Sequence, residues 1–146
     1  MRPHYQRTPI SLAEGVDKFS PRIRGESPTC DHVAMLGIMP VGKLQCYRNI
    51  DYPDYAAAVG LDGGISIDLF IAQPGLLGLG FGRSMLRAYI HTVAFALFPG
   101  EHAYICHDLT NVAARKCSVA AGFQPLRHVE EDGVPSELLV IWRPGP

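Results

Sequence analysis

One stretch constrains this chain more than any other: Ile65-Ser66-Ile67-Asp68-Leu69-Phe70-Ile71-Ala72, followed by Gln73-Pro74-Gly75-Leu76-Leu77-Gly78-Leu79-Gly80-Phe81-Gly82-Arg83-Ser84-Met85-Leu86. Its apolar, β-branched first half reads as a buried strand. The pattern breaks at Pro74-Gly75, and a glycine-rich turn then opens into apolar residues at helical spacing. Glycines at alternate positions let successive N–H groups point into one concavity at the positive end of a helix dipole, a setting that suits a pyrophosphate. The same glycines also serve a plain tight connection, where they supply positive φ. A nicotinamide cofactor is disfavoured, because Gly78-x-Gly80-x-Gly82 lacks the G-x-G-x-x-G spacing of a dinucleotide site.

The rest of the chain reads as one soluble domain over residues 1–146. With 146 residues it has an ordinary domain length, enough to bury about 70% of the unfolded surface. A formal net charge of -1 and an apolar fraction of 47% leave no electrostatic footprint for nucleic acid. The opening residues Met1-Arg2-Pro3-His4-Tyr5-Gln6-Arg7 contain no apolar core of a leader. No run approaches the roughly 18 apolar residues of a membrane span. Cys30, Cys46, Cys106 and Cys117 form no C-x-x-C pair and read as reduced thiols of a cytoplasmic protein.

In chain order, residues 8–24 carry a helical pattern through Leu12, Val16, Phe19 and Ile23, with Ser11 and Glu14 spaced as a capping box. Pro21 predicts a break into two short helical pieces. Residues 32–38 and 41–47 read as a β-hairpin joined at Met39-Pro40. Residues 49–64 read as a long, turn-rich loop, the usual place for function. The helix after the glycine turn runs to about Leu97, with Met85, Leu86, Tyr89, Ile90, Val93 and Leu97 toward the core. A strand at 102–107, a helix capped by Asn111 and running to Val119, and strands at 123–130 and 137–142 around Asp132-Gly133 complete the order.

No lysine or arginine occurs between Asn49 and Gly82, whereas Asp51, Asp54, Asp62 and Asp68 all do. Solvated carboxylates on a loop account for this, and so does an acidic mouth that attracts a cationic substrate.

Two motifs together carry a resemblance. Leu77-Gly78-Leu79-Gly80-Phe81-Gly82 opening a helix, followed by Asn111-Val112-Ala113-Ala114-Arg115-Lys116-Cys117-Ser118-Val119-Ala120-Ala121-Gly122-Phe123, resembles the acetyl-CoA signature of the Gcn5-related N-acetyltransferase superfamily. Within it the chain is similar to the aminoglycoside 6'-N-acetyltransferases and to relatives that acylate hydroxylysine in siderophore synthesis. The likeness runs from about Thr8 to the end and includes Val33-Ala34-Met35-Leu36, Gly64-Ile65-Ser66-Ile67-Asp68 and Asp132-Gly133.

The resemblance implies an α+β, three-layer fold: a mixed, mostly antiparallel sheet flanked by helices, with a central β-α-β unit that binds acetyl-CoA as co-substrate. It implies that Phe70, Ile71 and Ala72 offer backbone groups to the pantetheine arm. Leu77, Gly78, Leu79, Gly80, Phe81, Gly82, Arg83 and Ser84 would hold the diphosphate, with Asn111 and Ala114 completing the cofactor site. A splay between the strand of Asp68 and that of Tyr104 would admit the thioester. Asp68 falls on an active-site carboxylate of the aminoglycoside enzymes and Asp54 on a substrate-holding acid; Asp62, Asp108 and Asp132 join the acceptor side. The chemistry is coherent, because an amine arrives as an ammonium that must be attracted and then deprotonated, and carboxylates do both. An aspartate in an otherwise apolar strand is costly without such a task, although a hydrogen-bonded structural role on the strand's polar face, shared by Ser66 and Phe70, also fits.

Two departures stand out. Ser118 occupies the place of a family tyrosine whose phenol protonates the leaving thiolate, and a serine hydroxyl is far less acidic. The family's first strand and the helix after it have no counterpart ahead of Thr8, so the hairpin strand at 32–38 is expected to be a sheet edge open to a homodimer. None of His4, His32, His91, His102, His107 and His128 shows metal spacing, and only His107, beside Asp108, is placed to act as a base. Arg115 and Lys116 fit either a CoA phosphate or a solvated helix face, and Trp142 reads as packing. Three functions stay open: acetyl transfer to a cationic amine (an aminoglycoside, or a lysine-derived siderophore precursor), a non-catalytic acyl-CoA-binding module, and a different nucleotide binder.

Overall fold

A computed structural model describes residues 11–71 and 78–146. The expected Ala72 and Leu77 of the cofactor site lie outside the described residues. The elements are α1 (Leu12–Ile23), β1 (Cys30–Leu36), β2 (Met39–Arg48), a 3-10 turn (Asn49–Asp51), α2 (Pro53–Val59) and β3 (Ile65–Ile71). After these come α3 (Phe81–Tyr89), a π-helical segment (Ile90–Ala94), α4 (Phe95–Leu97), β4 (His102–Asp108), α5 (Val112–Ala120), β5 (Gln124–Glu131) and β6 (Val134–Trp142). Six strands form one sheet in the order β1-β2-β3-β4-β6-β5, antiparallel except between β3 and β4.

Both faces of the sheet are apolar, which makes the fold three layers deep. On one face Leu44, Cys46, Ile65, Ile67, Ile105 and Leu139 pack against Leu86, Tyr89, Ile90 and Phe95 of the long helical run. On the other, Tyr104, Cys106, Leu138 and Val140 pack with Leu61 and Val129. The alternation along β4, Ala103 and Ile105 to one side and Tyr104 and Cys106 to the other, reflects the two-residue period of a strand.

Four expectations need correction. Pro21 lies inside a single α1 rather than between two pieces. It sits in the last turn, where its missing N–H removes one bond, and Arg22 anchors that turn to Asp31 and Gln45. The start of α1 is as expected, with Ser11 N donating to Glu14 Oε2 at 2.6 Å and Glu14 N to Ser11 Oγ at 3.1 Å. The β1–β2 turn falls at Gly37-Ile38, between the partners Leu36 and Met39, because Gly37 takes the positive φ of 62° that the turn requires. Residues 49–64 are not one loop: α2 begins with Pro53 in its first turn and stops at Gly60 in the left-handed conformation. Seven residues are too few for helical periodicity to register. Lastly, the helix expected to reach Leu97 contains the π-helical segment. As expected, β1 is a sheet edge, with Val33, Met35 and Leu36 exposed. Trp142, expected to pack, is 59% exposed with its ring against His102.

The core holds ionisable groups in their neutral forms. Burial pushes the Cys46 thiol up to about 11, and burial likewise raises Tyr47, Tyr55 and Tyr89 well above the usual phenol range. A raised acid keeps its stabilising effect below the unfolded-state pKa and loses it as pH climbs toward the folded one. Stability is therefore expected to be flat up to about pH 8.5 and to fall by about 2 kcal/mol by about pH 10.5, as the unfolded chain ionises groups the fold keeps protonated. Urea titrations at a series of pH values check this, and a constant midpoint across that window would contradict it.

Candidate active site

The parallel pairing of β3 with β4 covers only Ile65↔Ala103 and Ser66↔Tyr104. Beyond those residues the strands part, while β2 stays in register with β3 through Gly42↔Ile71 and β6 stays with β4 through Ser136↔Asp108. The sheet thus opens along its centre without coming apart. Gly42 is needed for the close approach of β2, since a Cβ there would lie 2.6 Å from the Phe70 carbonyl oxygen. In the gap lies a cleft of about 530 Å³, walled by Asp68, Phe70 and Ile71 of β3, Cys106 and His107 of β4, the glycine turn and α5.

Two helices start at this cleft. Gly80 caps α3 in the left-handed conformation (φ 82°), and Gly78 has φ 78°. Gly78 and Gly80 thus both take the left-handed conformation that glycine permits. Asn111 caps α5, its Oδ1 accepting from Ala114 N at 3.3 Å. Gly78, Gly80, Gly82, Arg83, Asn111 and Ala114 all line the cleft, so both helix dipoles and a guanidinium converge there. Phe81 and Ser84 lie in the first turn of α3, and Leu79 is exposed between the glycines. Arg115 is held in an ion pair by Glu137, whereas Lys116 lines the cleft. Burial raises the Cys117 thiol, which disfavours its nucleophilic form.

On the face of the sheet that carries Ser66 and Tyr104, Asp68 Oδ2 accepts from Gln45 Nε2 at 2.9 Å. The amide of Gln45 is itself fixed, its Oε1 accepting from Arg22 Nη1 at 2.9 Å and Lys43 Nζ at 3.2 Å. Asp31 holds both cations, at 3.3 and 3.1 Å. A polar chain thus runs from α1 and β1 through β2 to Asp68. Sequence reading missed Gln45, although the period-2 signal was there: Lys43, Gln45 and Tyr47 alternate with the buried Leu44 and Cys46. Tyr47 and Tyr55 lie behind Asp68, and the carboxylates of Asp68 and Glu131 add to burial in keeping both phenols protonated.

The acidic run regroups in space. Asp51 is bound by Arg48 at 2.9 Å, and Asp62 lies before β3, at the opposite end of that strand from the cleft. Asp54 is exposed in the first turn of α2. Asp108 and Asp132 lie instead at the same sheet edge as the C-terminal end of β3, because β4 runs parallel to β3 and the β5–β6 hairpin turns back beside the end of β4. Asp132 is exposed at the hairpin tip with φ 50°, while Asp108 is buried and accepts from Thr110 N and Thr110 Oγ1, both at 2.8 Å.

On the other face, Ser118 is only 1% exposed, and its Oγ lies 2.7 Å from His107 Nε2. Both side chains line the cleft. Among the described residues no three metal-ligating side chains gather, and no helix is long and apolar enough to cross a membrane.

A six-stranded mixed sheet with helices on both faces, opened between parallel β3 and β4 beside a glycine turn, is the fold of the Gcn5-related N-acetyltransferases. Solved structures with this fold superpose over nearly the whole chain. The aminoglycoside acetyltransferase AAC(6')-Ib in complex with coenzyme A matches with a TM-score of 0.76 at 22% identity, covering 91% of this chain and 77% of that one. The aminoglycoside N(6')-acetyltransferase of Legionella pneumophila matches at 0.68 and 18% identity, over 90% and 73%. A variant of the spermidine N-acetyltransferase SpeG of Vibrio cholerae matches at 0.65 and 19% identity, over 90% and 75%. No protein-family model and no curated protein sequence matches the chain.

Proposed function

We propose that this chain transfers the acetyl group of acetyl-CoA to a primary amine of a cationic small molecule, with the 6'-amine of an aminoglycoside the leading acceptor. The observation that carries the reading is the splayed β3–β4 cleft, lined at once by two helix N-termini, Arg83 and Asp68. The helix starts and the Gly78–Gly82 amides take the diphosphate, and the pantetheine arm extends β3 by hydrogen bonding to its freed backbone. Asp68 attracts the ammonium and removes its proton before nitrogen attacks the thioester carbon. Asp132, Asp108 and Asp54 provide further negative charge for a polycationic acceptor. Structural neighbours that bind coenzyme A, kanamycin and ribostamycin, or acetylate spermidine, support the same acceptor class.

The test is a melting screen followed by thiol-release assays. Millimolar acetyl-CoA is expected to raise the melting temperature, by an amount equivalent to about 2.7 kcal/mol at a hundred times Kd. Kanamycin, spermidine and a hydroxylysine precursor then compete as acceptors. Stabilisation by NAD or ATP in place of acetyl-CoA overturns the reading, and stabilisation with no turnover on any amine reduces it to acyl-CoA binding.

A further inference from the structure

The reaction ends when the C–S bond breaks and a thiolate leaves, and the wall of the cleft on the α5 side holds two groups suited to that moment. We propose that Ser118 and His107 act as a proton-relay pair for the departing coenzyme A thiolate. This inference rests on the acetyl-transfer reading above. In the step, the tetrahedral adduct collapses, the C–S electron pair passes to sulfur, and the carbonyl re-forms. Sulfur takes the Ser118 hydroxyl proton while Ser118 Oγ takes the Nε2 proton of the His107 imidazolium. The neutral imidazole then recovers a proton from water, and the two protons that the ammonium nitrogen gives up, one before attack and one as the amide forms, leave through Asp68 to water.

The geometry supports each part. The Oγ–Nε2 distance of 2.7 Å is that of a formed hydrogen bond, so transfer between the two needs no rearrangement. A lone serine is a poor acid, but one whose proton is replaced from a neighbouring imidazolium as it leaves is not limited by its own acidity. Glu137, the partner of His107 on β6, is ion-paired with Arg115 of α5, so a carboxylate stands on the strand next to the imidazole. His107 and Ser118 project from the sheet face opposite Asp68, and all three line one cleft. Proton removal from the amine and proton delivery to sulfur are thereby separated across the splay.

Acetyl-CoA and acetyl-seleno-CoA provide the test, because a selenolate is a far better leaving group and departs without protonation. With the best acceptor from the panel, Ser118→Ala and His107→Gln are each expected to lower kcat with acetyl-CoA about tenfold, the modest size reflecting water as a substitute acid. The double variant is expected to be no slower than either single one, as for groups that work as a unit. Turnover of the seleno donor is expected to stay within about twofold of the unsubstituted chain in all three. Equal slowing with both donors assigns the pair a packing role and overturns the inference, as does unchanged turnover of acetyl-CoA. If acetyl-CoA neither stabilises the unsubstituted chain nor turns over, the acetyl-transfer reading fails first and the relay with it. Should His107→Gln fail to fold, Ser118→Ala decides alone, since it removes one oxygen and leaves the packing in place.

Discussion

Asp68→Asn lowers kcat for amine acetylation by about 100-fold or more, while the acetyl-CoA-induced rise in melting temperature stays as in the unsubstituted chain. The expectation follows from what the substitution keeps and what it removes. The asparagine side-chain oxygen can still accept from Gln45 Nε2, so the polar chain through Arg22, Lys43 and Asp31 remains bonded and β3 stays in register with β2. What is lost is the negative charge and the carboxylate oxygens that, in the proposed reaction, take a proton from the ammonium at that point of the cleft wall. The glycine turn and helix starts proposed to hold acetyl-CoA are unchanged by the substitution, so its affinity is expected to be spared. The acceptor's KM is expected to rise as well, because attraction of the ammonium goes with the charge. Full activity in Asp68→Asn, measured by thiol release at saturating acetyl-CoA, would move the proton transfer to another group. An equal loss of acetyl-CoA stabilisation would show that Asp68 serves the fold instead.

The β3–turn–α3 unit was legible in the chain because three independent local signals coincide there: a β-branched run, a glycine turn and helical spacing. The hairpin of β5 and β6 was legible for a similar reason, since Asp132-Gly133 supplies two positive-φ residues in succession. Asn111 as the cap of α5 was legible from residue type alone. The features that sequence reading missed have two physical causes: an element too short to show its period, and contacts made between distant segments. α2 is a single short helix whose start and stop residues look like loop composition. The hydrogen bond between His107 and Ser118 joins a strand to a helix across the cleft, and neither residue carries a local mark of the other. The acidic run misled in the opposite direction. Neighbours in sequence, Asp62 and Asp68 are separated by most of β3, whereas Asp108 and Asp132 lie toward the same end of the sheet as Asp68 because β4 runs parallel to β3 and the hairpin folds back beside it. Charge counted along the chain does not carry over to the cleft, where the described lining sets Asp68 beside Arg83 and Lys116, because the topology decides which charged groups share it.

The second large effect belongs to Gly82, where the steric contribution can be separated from that of backbone conformation. Gly82 is buried in the first turn of α3, and a Cβ there would lie 3.0 Å from Cys117 Sγ and 3.3 Å from Ile71 Cδ1. The space is therefore the joint where the end of β3, the start of α3 and the middle of α5 close on one another, and it is also a wall of the cleft. Valine adds two γ-carbons beyond that crowded Cβ, and its stiff χ1 leaves it few ways to turn aside. Either α3 moves off the sheet or the side chain enters the cofactor's space. Gly82→Val is thus expected to lower stability by about 1–3 kcal/mol and to weaken acetyl-CoA binding about 100-fold or more, so that millimolar ligand no longer raises the melting temperature. Gly82→Ala, whose Cβ meets only a sulfur and a terminal methyl that can yield by a few tenths of an ångström, should fall between. The control is Gly78→Ala, since Gly78 has φ 78° but a Cβ added there would meet nothing within 4 Å among the described residues. That change strains the backbone by about 1–2 kcal/mol without filling any space. If Gly78→Ala impairs acetyl-CoA binding and Gly82→Val does not, the diphosphate depends on the left-handed turn alone. The expected order, with Gly82→Val the more damaging, requires the closed joint between β3, α3 and α5 to hold the cofactor's place.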